Sequence, residues 1–124
     1  MLVPILKQGD YLIASIQSAL TDTDLLSLRD DLVGQVGHYR SRGVIIDVTV
    51  LDVMDSFAVR MLSTLAQMIT LRGAETVIVG IQPDVAFAMV QLGLTLGGVA
   101  TALDLEEGLA YLNARAKKGK AGGR

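Results

Sequence analysis

The chain reads as a single α/β domain built on a mixed sheet that is parallel in its centre. Three observations carry that reading. "VIIDVTV" (44–50) and "VIVGI" (77–81) are apolar runs without the in–out alternation of a half-buried strand, which suits strands covered on both faces. Between and after them, apolar residues recur at helical spacing. Ahead of them, two short apolar runs flank Gly9 and Asp10, a hairpin signal. The implied order is ββαβαβαβα, with right-handed crossovers between the parallel strands.

Each element has its own justification. "VPILKQ" and "YLIASI" form the opening hairpin across the "GD" turn. Thr21, with Asp24 three residues on, predicts the start of the first helix, whose inner stripe is Leu25, Leu28, Leu32 and Val36, and Gly43 is expected to end the segment. "VIIDVTV" is the next strand. A helix from about Ser56 to Leu71 follows, its inner stripe expected at Phe57, Met61, Leu65 and Met68 with help from Ala58, Leu62 and Ile69. "GAETVIVGI" is a further buried strand. "PDVAFAMVQLG" is a helix with Pro83 in its first turn and Gly93 at its end. A short strand lies near Val99 to Ala102, and Asp104 with Glu107 caps the last helix, "LEEGLAYLNARA". Residues 1–116 are expected to form one domain, and 117–124 a basic flexible tail.

Composition narrows the function classes. The 124 residues are 51% hydrophobic yet hold no Trp, two Phe and three Tyr, so the core must be aliphatic. The absence of Cys excludes a disulfide scaffold, thiol catalysis and a Cys-ligated metal, and suits a reducing compartment. The mean hydropathy of +0.47 is high and implies apolar surface covered either by lipid or by partner chains. The uncharged run 85–103 has bilayer length, but Pro83, Gly93 and the Gly97–Gly98 pair break it into short elements. "MLVPILKQGD" lacks a basic region leading into a signal-peptide core. A cytoplasmic domain that assembles with other chains is therefore expected. Residues 1–114 carry 6 basic against 13 acidic residues, which argues against nucleic acid as a partner.

No self-sufficient active site emerges. The single His38 sits near a helix C-terminus, where a positive group is favoured by the backbone dipole, and has no second His for a metal. Asp22, Asp24, Asp30 and Asp31 belong on a solvated helix face. Asp47, Asp52 and Asp55 bracket a strand end and the loop after it, where open α/β folds place their sites, but no phosphate-cradling motif accompanies them. Met54, Met61, Met68 and Met89 read as core or interface filling. No catalytic residue, cofactor or metal is assigned.

Ser56 is the informative residue. It suits a helix N-cap, accepting an otherwise unpaired amide hydrogen bond. A hydroxyl at a helix N-terminus is also a good phosphate acceptor, because helix amides and dipole stabilise the added charge. The outward positions Arg60, Ser63, Thr64 and Gln67 form a weakly charged stripe beyond it, as binding surfaces do.

"DVMDSF", "RGAETVIVGIQPDVAFAMVQLGL" and the capped last helix resemble the STAS domain of bacterial anti-anti-sigma factors over nearly the whole chain. "GIQPDVAFAMVQLGL" is similar to the stressosome branch, in its RsbS-type form made of a STAS domain alone. The resemblance implies a non-enzymatic scaffold that joins RsbR-like STAS paralogues in a large assembly and also self-associates. That assembly would hold an RsbT-type serine kinase and release it once Ser56 is phosphorylated, with Asp55 shaping the acceptor loop. Arg60, Ser63, Thr64 and Gln67 would belong to the kinase-binding surface, and an RsbX-type phosphatase would reset the serine. RsbR-like chains carry an N-terminal sensor domain and a second phosphorylated Thr in the helix after "GIQP"; no Ser or Thr lies between Thr76 and Thr95 here. Three other readings stay open: a free anti-anti-sigma factor controlled at the same serine, an enzyme using Ser56 or the Asp cluster, and a detached transporter STAS module.

Overall fold

Aliphatic residues on both faces of the central strands dictate how the chain is layered. A computed structural model describes residues 3–122, with side chains to residue 117. Five strands, β1 (Ile5–Gln8), β2 (Tyr11–Ser15), β3 (Gly43–Asp47), β4 (Glu75–Val79) and β5 (Ala100–Ala102), lie side by side in chain order. β1 runs antiparallel to β2 across a turn in which Gly9 takes φ +60°. The other three pairings are parallel. Four helices, α1 (Asp22–Tyr39), α2 (Ser56–Leu71), α3 (Pro83–Gln91) and α4 (Leu105–Gly122), supply the crossovers. The element order is the one expected from the sequence.

Successive residues of a strand point to opposite faces, so the sheet divides its side chains between two cores. Leu12, Ala14, Val44, Ile46 and Ile78 pack with α1, α2 and α3. Ile13, Ile45, Val77 and Val79 pack with Leu112 of α4. Each fully buried aliphatic side chain contributes about 1.5–3 kcal/mol. The α1 stripe is buried at the four expected residues, and Thr21 closes a reciprocal capping box with Asp24, each bond 3.1 Å. Asp104 caps α4 by accepting from the Glu107 amide at 2.9 Å, while Glu107 reaches the Leu103 amide rather than its own cap residue.

Several expectations need correction. Gly43 does not end the first helix. Arg40 does so in a left-handed conformation (φ 51°), and Gly43 opens β3, where a Cβ would come within 2.8 Å of a Leu112 methyl. That glycine is required by the close approach of α4. The strand expected over 44–50 stops at Asp47, because its carboxylate binds Thr49 and turns the chain. In α2 the buried stripe is Val59, Leu62, Leu65, Ala66 and Ile69; Phe57 is exposed, and Met61 and Met68 are half-buried. The stripe is rotated from the expected one because the sheet meets the β-branched and Leu positions, leaving Phe57 on the flank. The helix α4 is drawn to Gly122. Residues 123 and 124 lie outside the described residues.

Leu62, 1% exposed, and Phe57, 37% exposed, separate the two stripes. Leu62→Ala is expected to lower the unfolding free energy by about 2–5 kcal/mol in urea titration. Phe57→Ala should cost about 1 kcal/mol or less. The reverse order would restore the stripe expected from the sequence.

Candidate functional site

In a parallel sheet the loops after the strands gather at one pole, the usual place for function in open α/β folds. Here that pole carries the segment 48–55 after β3 and the segment 80–82 after β4. Asp47 sets the first of these. One carboxylate oxygen accepts from the Thr49 amide at 2.9 Å and from the Thr49 hydroxyl at 2.5 Å. The Thr49 carbonyl then accepts from the Gln82 side-chain amide at 2.7 Å, tying the two loops together. Gly80 has φ +80°, and a Cβ there would fall on the Thr49 hydroxyl. Val48 and Leu51 complete the turn, the Val48 amide donating to the Val79 carbonyl at 3.0 Å and the Leu51 amide to the Val48 carbonyl at 2.9 Å.

This braced loop delivers Asp55 in extended conformation (φ −81°, ψ 174°) at the head of α2. The Asp55 side chain accepts from the Ala58 amide at 2.8 Å, so Asp55 and not Ser56 is the N-cap. The capping role expected of Ser56 is thereby corrected. An ionised carboxylate is a stronger partner than a hydroxyl for the positive end of a helix. Ser56 becomes the first helical residue, half-buried, and its hydroxyl makes no hydrogen bond within the described residues. It is a free nucleophilic oxygen beside first-turn amides that lack intrahelical partners.

The surroundings are mixed. Asp52, Asp55 and Arg60 are exposed around the serine, with Arg60 one turn further along α2. Thr64 and Gln67 continue the exposed stripe, whereas Ser63 is half-buried and faces the loop at Gly97. Val50, Val53 and Phe57 are exposed apolar side chains close to Ser56 in sequence, with Val53 70% exposed. Sequence reasoning missed Val50 by assigning it to a strand and Phe57 by assigning it to the core. Phe87, Val90 and Leu92 expose a second apolar area on and just after α3. The high hydropathy was the signal for both.

Other candidates stand apart. His38 lies in the last turn of α1, edge-to-face with Tyr39 at 4.7 Å and at the pole opposite Ser56. Asp47 and Asp55 each spend a carboxylate oxygen on the loop and the cap, and among the described residues no three His, Cys, Asp or Glu side chains are grouped to hold a metal. Among those residues, too, no helix is long and apolar enough to cross a membrane.

The STAS domain profile matches residues 3–107. The chain is similar to a serine-to-glutamate variant of RsbS from Moorella thermoacetica, with a TM-score of 0.81 and 36% identity over 93% of this chain and 97% of that one. It is equally similar in sequence to a chain of the stressosome, a signal integration and transduction hub. There the TM-score is 0.79 and the identity 36%, over 91% of this chain and 98% of the other. The RsbT co-antagonist protein RsbRA of Bacillus subtilis (strain 168) is 30% identical over 82 residues, 66% of this chain; the chain spans 30% of that relative's length.

The cap assignment separates two adjacent residues. Asp55→Ala should destabilise the fold by about 0.5–2 kcal/mol through loss of the bond to Ala58. Ser56→Ala should stay within about 0.5 kcal/mol of the unaltered protein in the same thermal or urea titration. A Ser56→Ala loss equal to that of Asp55→Ala would return the capping role to the serine.

Proposed function

This chain belongs to the STAS domain family, and from that premise we propose that it is a non-enzymatic stressosome scaffold whose grip on an RsbT-type serine kinase is switched at Ser56. The observation that carries the reading is the division of labour at the head of α2. Asp55 holds the cap, so the neighbouring hydroxyl is left unbonded and half-buried in the first turn of α2. Its modification therefore disturbs no bond on which the fold depends.

The energetics suit an off-switch. Transfer of the terminal phosphoryl group from ATP forms a bond from the Ser56 oxygen to phosphorus, breaks the bond to ADP and releases the hydroxyl proton. ATP and Mg²⁺ belong to the kinase. The product adds roughly −1.5 to −2 charge. Within the domain, the head of α2 stabilises that charge. Towards a partner seated on Val50, Val53 and Phe57, it introduces a desolvation cost and repulsion beside Asp52 and Asp55. A combined penalty of about 3 kcal/mol weakens binding by more than about a hundredfold. Hydrolysis by an RsbX-type phosphatase restores the neutral hydroxyl.

The scaffold half of the proposal rests on the similarity to a stressosome chain and on the exposed apolar residues of α3, which suit burial against RsbR-like paralogues or further copies of this chain. A free anti-anti-sigma factor would share the serine but would remain a small particle when mixed with such paralogues.

Incubation of the protein with the switch kinase, an RsbR-like partner and Mg-ATP, followed by peptide mass spectrometry, should place phosphate on Ser56. An unmodified serine beside a demonstrably active kinase would end the proposal. Ser56→Asp should lower kinase affinity by about a hundredfold in calorimetry while leaving the circular dichroism spectrum intact; unchanged affinity would contradict the switch.

A further inference from the structure

Away from the serine, the sheet has an unfinished edge. β4 pairs with β3 over Glu75–Val79 but with β5 only over Val77–Val79. The chain approaching β5 turns at Gly97 (φ +54°) and Gly98 (φ +82°), leaving Glu75 and Thr76 beside an open groove of about 640 Å³ between the end of α2 and α4. Its walls include Ala66, Ala74, Ala100 and the two glycines, whose small side chains leave the space unfilled. The volume is that of a small-molecule site.

Thr76 lines this groove and is 6% exposed, and its hydroxyl has no hydrogen-bond partner. Among the described residues it is the one buried side-chain polar atom left unpaired. Burial without a partner is costly, so such a group points to something that completes it. At the rim, Arg115 places Nη2 at 2.6 Å and Nε at 2.8 Å on the same oxygen of Glu75. The hydrogen bond to Glu75, and then its charge, raise the Arg115 pKa above the usual arginine value. The second Glu75 oxygen meets only the Tyr111 hydroxyl at 3.5 Å, too long to satisfy either. Three guanidinium donors and one carboxylate acceptor are thus left side by side.

The rim pair sums to zero charge. An anion would meet Glu75 and a cation would meet Arg115, so each pays a repulsion that a neutral guest avoids. A group with N–H beside C=O complements the carboxylate and guanidinium together, while Ala66, Leu71 and Val99 offer an apolar wall to the rest of the molecule. We propose that this groove is a binding site for a small neutral molecule carrying an amide edge on an apolar body.

Three probes of one shape test it: benzamide, benzoate and benzylammonium, each titrated into the ¹⁵N-labelled full chain and followed by NMR. Benzamide should give saturable shifts confined to Thr76, Val99, Ala100 and Tyr111, with affinity at least about tenfold above either charged probe. Thr76→Val removes the unpaired hydroxyl at nearly constant shape and should weaken benzamide while keeping a folded spectrum. Glu75→Gln leaves the rim with net positive charge and should shift preference towards benzoate. No saturable shift up to the solubility of benzamide, equal affinity for the three probes, or selectivity unaltered by Glu75→Gln would each overturn the proposal.

Discussion

Everything in this domain follows from burying β3 and β4 on both faces. Val44, Ile45 and Ile46 are fully buried, and so are Val77, Ile78 and Val79. Parallel strands cannot be joined by a hairpin, so each connection must cross back as a helix, and the helices become the two covers. The same constraint orients α2 and α3: each begins where a strand ends, with its positive terminus at the carboxyl pole of the sheet. The placement of Ser56 is a by-product of burying valine and isoleucine.

At that pole the polar groups are arranged in series. Asp47 holds Thr49, Thr49 holds Gln82, and Gly80 leaves room for the Thr49 side chain. The loop that carries Asp55 is therefore braced against the adjacent loop before the cap forms. A hydroxyl on a mobile loop would lose entropy on docking to a partner, whereas a pre-organised one loses less. Val50 and Val53 are exposed on the same braced segment, and Phe57 is exposed in the first turn of α2 beside it.

Much of this was legible in the sequence, and the failures share a cause. Element order, the hairpin, the α1 stripe and the Thr21 cap are local properties, set by spacing of three or four residues or by a single turn, and the chain displays them openly. The STAS resemblance likewise rested on contiguous motifs. The misread positions depend on distant neighbours. Gly43 resembles a helix stop until Leu112 is seen to press on it. Phe57 fits an inner stripe until the rotation of α2 is fixed by the sheet. Ser56 and Asp55 are both good caps, and only the backbone geometry of the loop decides between them. The groove at Thr76 was illegible because it results from β5 being two residues shorter than β4.

The unequal division of the core also leaves one face of the sheet dependent on a single helix. One face of the sheet is sealed by three helices, the other by α4, with Leu112 as its fully enclosed anchor among partly covered neighbours. Release of α4 uncovers its face of the sheet at once, whereas release of any one of α1, α2 and α3 leaves the other face partly covered. Detachment bares Ile13, Ile45, Val77 and Val79 together, an aliphatic sheet face that only another apolar helix face of similar shape re-covers.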